Sequence, residues 1–374
     1  MSDVVLFELV TATNGKQIGV ATLNSEKSLN ALSHEMVNLL YPQLLAWQGD
    51  ENVAAVFLQG SGDKAFCAGG DIVYLYNNLP ANNGDKAPQI EQFFTDEYQL
   101  DHLIHTYGKP FVVWGNGIVM GGGLGLMAGA SHRIVTENTR IAMPEISIGL
   151  YPDVGGSYFL NQMPNNCGLF LGLTGASING SDTKYLNLAD YFITHQRKQE
   201  VLDAIVEINW GGTQVLNQQK LTEVLNNFDS ECASTAPMSN VQQHSDLIAE
   251  TTKANNLNDI VADIKGFEIE DKWFNRAQKS LTHGSAISAH LAYRQLNEGK
   301  NLSLAECFKM ELGISTKCGE FGEFKEGVRA LLIEKDNKPA WKYAGVADVD
   351  ATLIDWFFES PWSDDEHPLA ALGK

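Results

Sequence analysis

Two acids stand close together in Met143-Pro144-Glu145-Ile146-Ser147-Ile148-Gly149-Leu150-Tyr151-Pro152-Asp153-Val154-Gly155-Gly156, flanked by Met, Ile, Leu, Tyr and Val where a surface loop would be polar. Partial burial raises a carboxyl pKa and suits Glu145 and Asp153 to general acid–base work. A plainer reading makes Asp153 a helix cap and Glu145 half of an ion pair. A second segment, Lys64-Ala65-Phe66-Cys67-Ala68-Gly69-Gly70-Asp71-Ile72, follows an apolar run. Its small residues and paired glycines let a backbone approach a ligand with N–H groups pointing outward; a strand-to-helix turn capped by Asp71 would look the same. The third, Gly115-Asn116-Gly117-Ile118-Val119-Met120-Gly121-Gly122-Gly123-Leu124-Gly125, opens a helix whose free N–H groups favour negative charge. Tight helix–strand packing is its alternative. It does not match G-x-G-x-x-G, and G-x-x-x-x-G-K-[ST] is absent.

The elements that must position these segments read as an α/β first half. Residues 4–10 and 17–23 form two strands around the turn Asn14-Gly15. Residues 33–47 have helical spacing with Ser33 as N-cap. Apolar runs at 53–59, 111–114 and 134–135 read as strands, and 122–130 as a small-residue helix. Beyond about residue 200 the strand runs stop. Helical spacing strengthens over 286–296, 304–312 and 324–332. The division expected is therefore 1–200 as core and 201–374 as a mostly helical C-terminal region.

Composition excludes several classes. The 374 residues hold 26 Lys+Arg against 46 Asp+Glu, a formal charge of −20 that repels phosphate backbones and anionic lipid. Nucleic acid and membrane are not expected partners, and no apolar stretch reaches the roughly 18 residues of a membrane span. Cys67, Cys167, Cys232, Cys307 and Cys318 are odd in number and lack CxxC spacing, so they read as reduced thiols. No G-x-S-x-G elbow or H-E-x-x-H occurs; His102 and His105 read as a solvated or hydrogen-bonded helix face, and no metal is expected. Met1-Ser2-Asp3 leads directly into the first strand, and the first arginine is Arg133, which gives a cytoplasmic expectation. Residues 363–366 read as a solvated acidic tail.

Taken in order, the three segments resemble the crotonase (enoyl-CoA hydratase/isomerase) superfamily. Residues 66–71 match its F-x-A-G-x-D loop, 116–125 its glycine-rich helix start and 143–145 its M-P-E turn, while 27–32 (Lys-Ser-Leu-Asn-Ala-Leu) match its K-x-L-N-A-L segment. Hydratases of the family carry two catalytic glutamates; here Gly125 stands at the first position and Glu145 at the second. The chain resembles instead the 3-hydroxyisobutyryl-CoA hydrolase branch, which adds an acid in F/Y-P-D-V-G-G. Here that acid is Asp153, within 151–156. Phe93-Phe94-Thr95-Asp96-Glu97-Tyr98 and residues 324–336 match two further segments of that branch.

The resemblance implies a crotonase-type spiral core of β-β-α units followed by a helical C-terminal region. It implies hydrolysis of a 3-hydroxyacyl-CoA thioester, in particular 3-hydroxyisobutyryl-CoA of valine breakdown. The N–H groups of Gly70 and Gly122 would form an oxyanion hole, with Ala68, Gly69 and Lys27 toward CoA and Lys27 and Lys64 as candidate phosphate partners. Glu145 would act as nucleophile or as general base, and Asp153 and Glu97 would orient the 3-hydroxyl or the water. CoA is part of the substrate, no cofactor is implied, and a homo-oligomer stays open. The rivals are an enoyl-CoA hydratase/isomerase working with Glu145 alone and a non-catalytic, ribosome-associated relative.

Overall fold

A computed structural model describes residues 3–374; Met1 and Ser2, read above as the lead into the first strand, lie outside the described residues. Ten strands form two sheets: β1 (Val5–Thr11), β2 (Gln17–Leu23), β3 (Val53–Gly60), β4 (Ala65–Cys67), β5 (Phe111–Gly115), β6 (Ile118–Met120), β7 (His132–Val135), β8 (Arg140–Ala142), β9 (Ile178–Asn179) and β10 (Tyr191–Phe192). The larger sheet has the order β1-β2-β3-β5-β7-β10, the smaller β4-β6-β8-β9. β1 and β2 form the expected antiparallel hairpin, and the rest of the larger sheet is parallel. The continuous apolar runs of β3 and β5 follow from this, because central parallel strands are covered on both faces.

Four helices carry or support the segments singled out above: α1 (His34–Gly49), α2 (Ile72–Asn78), α3 (Pro88–His105) and α4 (Gly122–Ala128). Ser33 caps α1 by accepting the Met36 N–H at 3.2 Å, and Asp71 caps α2 by accepting that of Tyr74 at 3.0 Å. After β10 only helices follow, the longest being Gln214–Cys232 and Leu304–Phe321. The helix expected over 324–332 runs as Glu323–Val328 and then widens into a π-turn, Arg329–Ile333. Arg329 is held there by Glu326, Glu334 and Asp336.

The chain divides into two compact units that interleave along the sequence. One comprises Met1–Gly70, Leu100–Ile141 and Ile178–Asn240; the other Asp71–Gln99, Ala142–Ser177 and Val241–Lys374. The change near residue 200 marks where strands end, whereas compactness groups two earlier segments with the C-terminal helices.

Candidate active site

In the first unit the two glycine loops lie side by side because the strands before them pair. β4 and β6 are parallel neighbours, with Ala65 opposite Ile118 and Cys67 opposite Val119. The loops leave these strands at Ala68-Gly69-Gly70 and at Gly121-Gly122-Gly123. A Cβ on Gly123 would lie 2.3 Å from the Cys67 carbonyl oxygen, so only glycine permits this approach. Gly69 has φ 104°, and a Cβ there would also crowd the Met120 carbonyl at 3.2 Å. The Lys27 turn braces the first loop: Ala68 N–H donates to Leu29 O at 3.1 Å, and Leu32 N–H to Gly69 O at 2.7 Å. Buried Asn30 locks that turn, donating to Ser61 O and Ala65 O at 2.9 and 3.0 Å. None of these bonds uses the N–H of Gly70 or Gly122. Lys27 and Lys64 are both exposed.

The second unit gathers the acids. Glu97 and Tyr98 are consecutive on α3, Glu145 opens the short 3-10 turn Glu145–Ile148, and Asp153 precedes the Val154-Gly155 bend. All three carboxyls are buried. Tyr98 Oη donates to Asp153 Oδ2 at 2.7 Å. Ser315 Oγ, on the helix Leu304–Phe321, lies 2.7 Å from that tyrosine hydroxyl and 2.8 Å from the hydroxyl of Tyr151. Tyr151 donates to Glu311 O at 2.6 Å. The Glu311 carboxylate accepts from Gly155 N–H at 2.7 Å, from Ser157 N–H at 2.8 Å and from the Ser157 hydroxyl.

Donors are distributed unequally among the acids. Among the described residues, buried Glu97 Oε1 and Glu145 Oε2 have no hydrogen-bond partner, and neither residue is ion-paired. Burial first, and the Asp153 charge next, push Glu145 and Glu97 well above the ordinary glutamate range. Asp153 is pushed up only to about 6, because burial is opposed by the Tyr98 hydrogen bond. The result is a cluster of three carboxyls that cannot all ionise together, with one member favoured as the anion. Such a set can move protons near neutral pH.

Residues 18–358 match the family described as Enoyl-CoA hydratase/isomerase. The chain belongs to that family, the crotonases. Among the similar relatives of this crotonase, "3-hydroxyisobutyryl-CoA hydrolase, mitochondrial" of Danio rerio is 37% identical over 95% of this chain and 89% of its own. The Homo sapiens protein of the same name is 35% identical over 93% and 87%. A solved enoyl-CoA hydratase from Rhodobacter sphaeroides 2.4.1 is 28% identical, with a TM-score of 0.80 over 95% of this chain and 97% of that one. A carnitinyl-CoA dehydratase from Mycobacterium thermoresistibile is 30% identical, with a TM-score of 0.82 over 94% and 96%. The crotonase fold expected from the motifs is thus the fold observed, with its helical C-terminal region.

Asp153 does not cap a helix through its side chain, and Glu145 has no cation beside it; both cluster with Glu97. Among the described residues no group of His, Cys, Asp and Glu could hold a metal, and no helix is long and apolar enough to cross a membrane. The five cysteines are free and buried. Motif reading missed Tyr98 as a donor, and missed Ser315 and Glu311 altogether. Glu311 and Ser315 lie in a stretch of helix where every residue from 311 to 320 is buried.

Proposed function

We propose that this crotonase hydrolyses 3-hydroxyisobutyryl-CoA to 3-hydroxyisobutyrate and CoA, a step of valine breakdown. The observation that carries the reading is the buried cluster of Glu145, Asp153 and Glu97, in a chain whose α4 has Gly125 where a hydratase needs its other glutamate. Syn hydration of an enoyl thioester requires a paired base and acid; hydrolysis can proceed from one carboxylate aimed at a thioester carbonyl or at water. The name carried by relatives at 35–37% identity over most of their length supports the same substrate.

The N–H groups of Gly70 and Gly122 donate to the thioester oxygen as it becomes an oxyanion, each such donor being worth about 100- to 1000-fold in rate. Glu145, once ionised, has two routes. It attacks the carbonyl carbon, expels CoA thiolate and leaves a mixed anhydride that water opens, or it takes a proton from the water that attacks. Both consume one water, break the C–S bond and return a proton to the thiolate. Asp153 and Glu97 orient the 3-hydroxyl or the water, while Lys27, Ala68 and Gly69 face CoA. Thioester and water balance the reaction, so the reading calls for no metal or redox cofactor. A cytoplasmic location belongs to the same reading and cell fractionation tests it; sedimentation decides between monomer and homo-oligomer.

The deciding experiment is free-thiol release from 3-hydroxyisobutyryl-CoA, with crotonyl-CoA and acetyl-CoA alongside. Fast release from the hydroxyacyl thioester alone supports the hydrolase. Loss of the enoyl absorbance without thiol release makes the chain a hydratase despite Gly125. Inactivity on all three favours a binding role, which ribosome co-sedimentation at physiological salt would then examine.

A further inference from the structure

The helix Leu304–Phe321 supplies no residue to the reaction assigned above, yet two of its buried side chains, Glu311 and Ser315, are one turn apart on the face toward Asp153. Glu311 clamps the bend that follows Asp153 through the N–H groups of Gly155 and Ser157. Val154 in that bend has φ 52°, a left-handed conformation that a β-branched residue adopts only when its surroundings impose it. Ser315 reaches the hydroxyl of Tyr98, which in turn reaches Asp153. An ionised Asp153 can only accept, so Tyr98 gives its proton to the carboxylate; Tyr151 gives its own to the Glu311 carbonyl, and the single Ser315 hydrogen is shared between the two tyrosine oxygens.

We propose that Tyr98, held by Ser315, is a positioning residue for the reaction: its hydroxyl fixes Asp153 in one orientation and selects it as the charged member of the carboxyl cluster. The inference rests on the hydrolase reading for its kinetic arm only. The titratable groups facing Asp153 are Glu97 and Tyr98 of α3, Glu145 of the 3-10 turn, Tyr151 beside the bend, and Glu311 and Cys318 of the long helix. No lysine, arginine or histidine is among them, so no nearby cation substitutes for the tyrosine's hydrogen bond. Loss of that bond must raise the pH at which Asp153 ionises.

The test is Tyr98→Phe, which keeps the ring and removes one oxygen, with Ser315→Ala as the milder companion. A hydrogen bond to a charged group is worth at least about tenfold in an equilibrium, so the pH at which Asp153 ionises should move up by about one unit in Tyr98→Phe. While Asp153 stays neutral its charge no longer opposes ionisation of Glu145, and the acid limb of kcat/KM should move down. Activity on that limb should change with pH and not by one constant factor, and Ser315→Ala should move the limb the same way by less. The second readout needs no turnover. The carbonyl stretch of the protonated Asp153 carboxyl, assigned by its absence in Asp153→Asn, is followed against pH by infrared difference spectroscopy. Its midpoint should rise in both variants.

An unmoved limb and an unmoved infrared midpoint overturn the proposal, as does a loss that is equal at every pH. Should Tyr98→Phe not fold, Ser315→Ala decides by the same two readouts. A wild-type protein without thioesterase activity overturns the hydrolase reading, and the infrared midpoints still decide the role of Tyr98.

Discussion

Glu311 accepts both the backbone N–H of Ser157, at 2.8 Å, and the hydroxyl of the same residue. One carboxylate therefore closes the bend after Asp153 from a helix more than 150 positions later in the chain. Removing it strands two buried N–H groups, each of which costs about 1–3 kcal/mol when unsatisfied. Glu311→Ala should thus destabilise the protein by about 2–5 kcal/mol, whereas Glu311→Gln, which keeps one acceptor oxygen for one of the two N–H groups and turns an amide NH2 toward the other, should cost about half as much. Urea unfolding of the two variants checks this. Equal losses would mean that the clamp is electrostatic and not a matter of acceptor geometry.

The same residue makes stability depend on pH. Burial pushes Glu311 up to about 8 despite its three donors, and Asp153 up to about 6. Both folded-state values lie above those of the unfolded chain, so the native state binds protons more tightly. The stability they contribute is complete below the unfolded value, near 4–4.5, and is lost as pH rises through 6 and then 8. The urea midpoint should therefore fall between about pH 5 and about pH 8.5, and Glu311→Gln should flatten the upper part of that decline. A midpoint that rises over this window would reverse the sign and refute the assignment.

Much of this was legible locally. Ser33 and Asp71 announce the starts of their helices, the Asn14-Gly15 turn announces its hairpin, and the apolar runs of β3 and β5 announce buried strands. Glu145 and Asp153 stood out because acids among Met, Ile and Val are chemically out of place. Glu311 and Ser315 did not, for a physical reason. The helical spacing read over 304–312 ends where the helix becomes buried all round: from Glu311 to Glu320 every residue is buried. A helix covered on every side shows no contrast between a polar and an apolar face, so periodicity loses its signal there. The interleaving of the two units escaped for a similar reason. The packing of 71–99 and 142–177 with the C-terminal helices is a long-range choice that no window of sequence contains.

Glu145→Gln separates catalysis from stability. Gln has the same shape but can neither attack a thioester nor take a proton, so kcat should fall by at least about 100-fold. Burial already holds the Glu145 carboxyl toward its neutral form, and one of its oxygens has no partner to lose. The neutral amide should therefore leave Tm unchanged or raise it above neutral pH. Circular dichroism melts run beside the thiol-release assay check both halves. A variant that is inactive because it is unfolded would contradict the burial argument, and one that retains near-normal kcat would remove Glu145 from the chemistry.

The glycine loops make the remaining prediction. At Gly123 an added methyl would meet the Cys67 backbone carbonyl at 2.3 Å, so β4 and the start of α4 must separate. Overpacking of this kind costs about 1–3 kcal/mol. The kinetic cost should be larger in proportion, because displacing an aligned donor by about 1 Å is worth about 100-fold in rate. Gly172 is the control: it lies in the helix Cys167–Thr174, and a Cβ there finds its nearest neighbour at 3.5 Å, an ordinary contact. Gly172→Ala should leave kcat intact and add stability of up to about 1 kcal/mol, since alanine is the better helix former. If Gly70 and Gly122 are the oxyanion donors proposed above, Gly123→Ala should lose kcat with little change in KM, because the methyl disturbs the loops that carry them and leaves the Lys27 turn, braced by Asn30, in place. Thiol-release kinetics and thermal melts of the pair decide. Equal behaviour of the two variants would mean that close approach of β4 to α4 is not what sets the N–H groups of Gly70 and Gly122.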